Sequence, residues 1–404
     1  MRFDLLRNRN FLLLYLGGAI SASGATMTSL TLVWLVYTET HSAISISYLG
    51  LASVVPTIAF GLLAGALVDR VDRRRLMISS DLVRAAAVAT IPVLYAFKGF
   101  NLPLIIAAVT IVGVFSTIFR PATNALLPTL VEESGVQDAN GLITASNSIS
   151  QMGANAVGGV LIVLAGVHLG LAYNSATYLL SALMLALMVG SAIPASKTVR
   201  VPFVTQMKEG LLYIGRNKAI LETTVASTFL NLFATMIVPF SVVYVNVYLN
   251  AGASFYGYFL ASIGLGLAAG SLMVGRLGAV RFAGKLFVLA SLGFGVGTIG
   301  LVLIRSTLLA IAIAASLGIL LGLLNTTFYS IIQLVVPNEV LGRVLSVDEV
   351  GSYAAIPLGQ VAAGVLIQST GIVSTYLVAG IGIVLTSVVG AFLKDMRNLR
   401  YQGN

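Results

Sequence analysis

The chain has 404 residues, 58% of them hydrophobic and 9% charged, with a mean hydropathy of +0.98. A soluble domain carries about 25% charged residues, so a water-covered surface is excluded and lipid is the expected solvent. The formal charge of +9 does not point to nucleic acid, because the basic residues fall in short runs between apolar segments.

Residues 1–25 resemble a signal peptide with Ala22-x-x-Ala25 near a cleavage position, but the apolar run continues to Tyr37 and reads as a retained first helix. Runs of about 20 apolar residues cross a bilayer core. They fall near 11–37, 43–68, 76–97, 101–120, 140–167 and 170–192, and again near 219–248, 255–275, 284–304, 307–332, 343–369 and 372–394. The expectation is an all-α membrane protein with twelve transmembrane helices in two pseudo-symmetric six-helix bundles, 1–192 and 219–404, joined by a polar cytoplasmic linker, 193–218. With the N-terminus inside, only Lys98 and Arg305 of the 23 Lys and Arg fall outside, while Arg84 and Arg120 lie within helices near the inner face. That asymmetry places both termini in the cytoplasm and the chain in the cell membrane.

The halves repeat. Pro121-x-x-x-x-Leu126-Leu127-Pro128 and Ala139-Asn140-Gly141-Leu142 lead into a helix ending Gly158-Gly159-Val160-Leu161. Gln333-Leu-Val-Val-Pro337 and Gly342-Arg343-Val344 lead into one ending Ala363-Gly364-Val365-Leu366. Such repeats are what alternating-access transporters use, with substrate bound near mid-membrane. The small-xxx-small pairs Gly61/Gly65, Gly266/Gly270, Gly293/Gly297 and Gly318/Gly322 report close helix packing.

Between the second and third apolar runs stands Gly65-Ala-Leu-Val-Asp69-Arg70-Val-Asp72-Arg73-Arg74-Arg75. Its Gly-x-x-x-Asp-Arg-x-x-Arg-Arg spacing resembles the signature loop of the major facilitator superfamily. Span count, linker position and the Pro121–Leu142 stretch extend the resemblance over nearly the whole chain. Tyr37-Thr-Glu-Thr-His-Ser, the Asp69–Arg75 run and Asp81-Leu-Val-Arg84 look like the macrolide-efflux-type drug exporters of that superfamily. The resemblance implies the major facilitator fold and a cytoplasmic latch. In it Asp69 meets the start of the eleventh span and the loop arginines Arg70, Arg73 and Arg74 pair with nearby acids, Asp348 and Glu349 being placed for Arg70 or Arg73. A solvated, inside-positive loop is the alternative. Asp72 replaces the family's loop glycine and tolerates a turn or left-handed backbone, and the second-half loop is reduced to Gly275-Arg276. Val109 stands four residues before Gly113, where proton-coupled exporters often carry arginine. Ala154-Asn155-Ala-Val-Gly158-Gly159 replaces Gly-Pro-x-x-Gly-Gly. The last two departures count against proton antiport. If protons or another ion are coupled, Asp81 with Arg84, Glu222, or the Asp348/Glu349 pair carry them.

No Gly-x-x-x-x-Gly-Lys-[Ser/Thr] cradle occurs, and the acidic pairs Glu132/Glu133 and Asp348/Glu349 lack the repeated spacing of a magnesium-dependent transferase. No cysteine is present, and His41 and His168 stand far apart, so no metal, cofactor, catalytic residue or enzymatic activity is expected. All 14 acids can be placed in loops or near helix ends. A mid-bilayer charge costs at least about 2.5 kcal/mol and marks function, so an uncharged pocket is expected. Its candidate lining is Asn147, Gln151 and Asn155 on one face of the fifth span, Asn231 and Thr235 in the seventh, Asn325, Gln360, and the apolar Met27 and Phe233. Interhelical hydrogen bonding and lipid-facing filler are the competing explanations. Pro239 is expected to kink the seventh span.

The resulting expectation is a secondary active transporter that exports lipophilic or weakly polar compounds by alternating access. A lipid or lysolipid transporter is the alternative, with a channel or receptor behind both. Its partners are a small-molecule substrate and the bilayer, with no nucleic acid, and the monomer is the expected unit.

Overall fold

The computed structural model describes residues 3–132, 135–189, 203–277 and 282–397. They form α1 (Arg9–Thr40), α2 (Ala43–Arg70), α3 (Arg73–Lys98), α4 (Leu102–Leu130), α5 (Val136–Ala186), α6 (Phe203–Arg216), α7 (Lys218–Ala234) and α8 (Ser241–Val243). After α8 come α9 (Ala253–Leu277), α10 (Ala283–Leu303), α11 (Thr307–Val335), α12 (Asn338–Phe392) and α13 (Lys394–Arg397). In lipid a backbone must satisfy its own polar groups, and a helix does so residue by residue. Nine helices among the described residues are long and apolar enough to cross a membrane.

α5 has 51 residues and α12 has 55, about 77 and 83 Å if straight and more than twice a ~30 Å hydrocarbon core. A glycine divides each. Gly166 adopts φ 74°, ψ 171° and Gly371 adopts φ 88°, ψ 172°, a region essentially closed to other residues. Each lies seven residues after its half's repeated glycine, Gly159 or Gly364, so the internal repeat extends to these breaks.

The described residues divide into two units, one from 1–41 and 48–199, the other from 42–47 and 200–404. In the first, α1 packs chiefly on α5, and α3 on α4 and α5. Asn174, Thr177 and Ser181 are fully buried on the second arm of α5. Gly24 makes room for them on α1: a Cβ there would lie 2.0 Å from Thr177 Oγ1. The start of the chain is tied in by caps. Asn8 accepts from the Asn10 and Phe11 N–H groups at 3.0 and 3.2 Å and donates to Leu130 O at 2.7 Å, at the end of α4. Asn10 exchanges two bonds with Val189, at 2.7 and 2.9 Å, just beyond α5. These bonds serve terminal groups that have no partner within their own helix.

In the second unit, α9 packs on α11 and α12 on α7 and α10. Two of the glycine pairs meet each other: a Cβ on Gly266 would lie 2.1 Å from Ala315 O, and one on Gly318 2.1 Å from Ile263 O. Backbone therefore touches backbone, the purpose of small residues at membrane helix crossings. Gly293 and Gly297 receive the side chains of Leu320 and Leu317. Gly61 and Gly65 make no such contact, with no neighbour within 4 Å of a Cβ built there.

The stretch between the two halves contains α6, whose Gly210 lies so close to α12 that a Cβ would lie 2.5 Å from Arg343 O. One expectation needs correction here. The seventh span is broken rather than kinked. α7 ends at Ala234, and helix resumes as α8 and a π-helical turn at Tyr244–Tyr248. Pro239 has no N–H, and its ring excludes the carbonyl four residues earlier. Tyr376 donates to one carbonyl of the break, Ile237 O, at 3.1 Å, while Tyr244 and Tyr248 just after it donate to Leu301 O, at 2.9 Å, and Val302 O at the end of α10.

Candidate transport site

The charged loop between α2 and α3 builds its own unit. Asp72 has φ −55°, ψ 113°, not the left-handed conformation its loop position allows, and N-caps α3 by accepting from Arg75 N at 2.9 Å. Arg73 is buried and donates to Ala125 O at 2.8 Å. Arg74 donates to Leu185 O at 2.7 Å and to Ala186 O, the negative end of α5. Two of the three arginines expected to pair with acids thus hold helix carbonyls instead. Arg70 is exposed, and the Asp69 side chain lies outside the described set.

Two turns into α3, Asp81 and Arg84 form a buried ion pair on neighbouring helix positions. The Arg84 guanidinium lies 4.0 Å from the Phe119 ring centre and 4.4 Å from that of Tyr178, and it donates to Ser116 Oγ at 3.4 Å. Ser181 donates to the Asp81 carboxylate. The two charges face each other between α3, α4 and α5, with Asp81 Oδ2 and Arg84 Nε left buried and unpartnered, which suits a structural pair as well as a coupling one.

A cavity of about 190 Å³ opens within the second unit, between α7, α10, α11 and α12. Its wall includes two of the expected polar residues, Asn231 and Asn325, together with Ser227, Ser352, Asp348 and the rings of Phe287, Phe294, Phe328 and Tyr329. Asn231 Nδ2 donates to Ser352 Oγ at 3.3 Å, and the Phe287 and Phe328 ring centres lie 6.5 Å apart. Asp348 was expected at the latch and the pocket was expected to be charge-free. Instead, Asp348 stands ten residues into α12, about 15 Å along its axis, and lines this cavity. Glu349, about 100° further round the helix, is exposed and does not line the cavity.

The other candidates are dispersed. Asn147, Gln151 and Asn155 share a face of α5, where Gln151 is exposed and Asn147 Oδ1 is buried without a partner. Met27 is buried against Gly158 and Gly170, where α1 meets α5. Phe233 packs on Gly382, and Thr235 lies against Gly359 with its hydroxyl donated to Leu232 O at 3.0 Å. Gln360 accepts from Ser47 at 2.8 Å through its backbone carbonyl, leaving its buried Oε1 unpartnered. Glu222 is buried on α7. Sequence reading missed Ser352 and the aromatic wall. Helical spacing carries the signal, since Ser352 is four residues after Asp348, and Phe328 and Tyr329 are three and four after Asn325.

Residues 2–400 match the family described as transmembrane secretion effector. The multidrug efflux pump Tap of Mycolicibacterium fortuitum is 25% identical over 97% of this chain and 97% of its own length. Macrolide efflux protein A of Streptococcus pyogenes is 22% identical over 96% of this chain and 97% of its own. The solved nucleoside transporter NupG superposes with a TM-score of 0.77 at 11% identity, covering 95% of this chain and 98% of that one, a likeness of fold. The chain belongs to the transmembrane secretion effector family of major facilitator transporters, multi-pass membrane proteins that move small molecules.

Proposed function

We propose that this transporter works by alternating access and exports lipophilic or weakly polar compounds across the cell membrane. Its two units are six-helix bundles that give twelve spans in all, with both termini in the cytoplasm. The observation that carries the reading is the cavity between α7, α10, α11 and α12, whose wall sets four aromatic rings and aliphatic carbon beside the polar groups of Ser227, Asn231, Asn325, Asp348 and Ser352. Two relatives named for efflux of drugs and macrolides support the direction and the solute class. The Gly166 and Gly371 breaks support the span count, since each lets one long helical run re-enter the bilayer. With Arg73 and Arg74 committed to carbonyls, Asp69 and Arg70 are the loop residues left to act as latch.

Purified protein reconstituted in liposomes is expected to move an amphipathic compound such as a macrolide, and not a hydrophilic metabolite such as a sugar phosphate. The opposite preference contradicts the solute class.

A further inference from the structure

We propose that the cavity of the second unit binds a substituted organic ammonium, with the Asp348 carboxylate as counter-charge and the aromatic wall against the ligand's apolar part. The role of such a ligand as cargo rests on the transport reading above.

Asp348 is 6% exposed, and its Oδ1 has no hydrogen-bond partner among the described residues. It takes part in no ion pair there either. A buried carboxylate without a counter-charge is costly. Of the other buried acids of the membrane helices, Asp81 has the Arg84 counter-charge although its Oδ2 is unpartnered, and Glu222 has a partner of its own. Arg343, the basic residue nearest in sequence on α12, is engaged by Glu209 at 2.7 Å. Burial without a counter-charge is relieved either by a proton on the carboxyl or by a cation that enters the cavity, and the aromatic wall favours the cation.

A bare metal ion fits poorly, because hard cations want about six oxygen ligands. The cavity offers one carboxylate, two amides and a few hydroxyls, with the Asn231 amide nitrogen already donated to Ser352. Aromatic faces attract ammonium groups, and the rings of Phe287, Phe328 and Tyr329 stand on the same wall as Asp348. Volume limits the ligand. An apolar cavity of about 150 Å³ holds benzene, so about 190 Å³ holds one ring with a small ammonium head, or that end of a larger molecule.

Phenyltrimethylammonium and its neutral isostere tert-butylbenzene share one shape and differ in charge. Equilibrium binding to the purified full chain should be saturable for the cation. It should weaken about tenfold or more in Asp348→Asn and stay within about threefold in Asp348→Glu, while the neutral isostere should not distinguish the three proteins. Equal affinity for the cation in wild type and Asp348→Asn, or no saturable binding to wild type, overturns the proposal. The chain has no cysteine, so Ser227→Cys supplies a single thiol in the cavity wall with Asp348 intact, should Asp348→Asn fail to fold. Its maleimide labelling should be slowed by the cation and not by the isostere, and equal slowing by both, or by neither, also overturns the proposal. Binding that depends on Asp348 without flux in liposomes would remove the transport reading and leave the site. Flux of neutral compounds without such binding would remove the site and leave the transport reading.

Discussion

Arg84 lies between two aromatic rings and against one carboxylate, so its charge is satisfied where water does not reach. Removing one member of a buried pair strands the other, at a cost of about 3–5 kcal/mol, whereas removing both can be nearly neutral. Arg84→Met is therefore expected to destabilise more than the double variant Asp81→Asn/Arg84→Met, as read by thermal unfolding of the purified protein. A double variant no more stable than Arg84→Met would show that the pair is not what holds α3 to its neighbours. The Asp-x-x-Arg spacing made this contact legible from sequence, because residues three apart share a helix face. The destinations of Arg73 and Arg74 were not legible, since Ala125 and Leu185 offer backbone carbonyls that any residue carries. The cavity beside Asp348 was not legible for a related reason: no local pattern tells that one lies there.

At the scale of elements, the four glycine pairs divide by what they touch. Gly318→Ala forces a methyl to within 2.1 Å of a backbone oxygen on α9, and only separation of the two helices relieves it. Gly61→Ala meets open space and gains helix propensity. The first is expected to lower the unfolding temperature and the second to leave it unchanged or slightly raised, the second gaining up to about 1 kcal/mol of stability. A reversal of that order in thermal melts of the two variants would contradict the α9–α11 crossing. All four pairs look alike as sequence. Only the partner helix distinguishes a contact from an empty face, and partners are set by tertiary packing. The breaks at Gly166 and Gly371 were nearly legible, because the apolar runs were too long for one crossing, whereas the break around Pro239 has a carbonyl taken by Tyr376, far along the chain.

For the molecule as a whole, composition and hydropathy already required a multi-helix membrane protein. The charged loop and the repeated halves carried the family, and both follow from constraints that act locally along the chain. The solute was less legible, because a binding wall is assembled from four helices that contribute one or two side chains each. A carrier with one site exposed to alternate sides must exchange solute faster when substrate is present on both sides, whereas a channel shows no such acceleration. Counterflow in proteoliposomes is the most direct measurement. Preloading with unlabelled macrolide is predicted to drive transient accumulation of labelled macrolide against its gradient, and simple equilibration at a rate indifferent to the internal load would contradict alternating access.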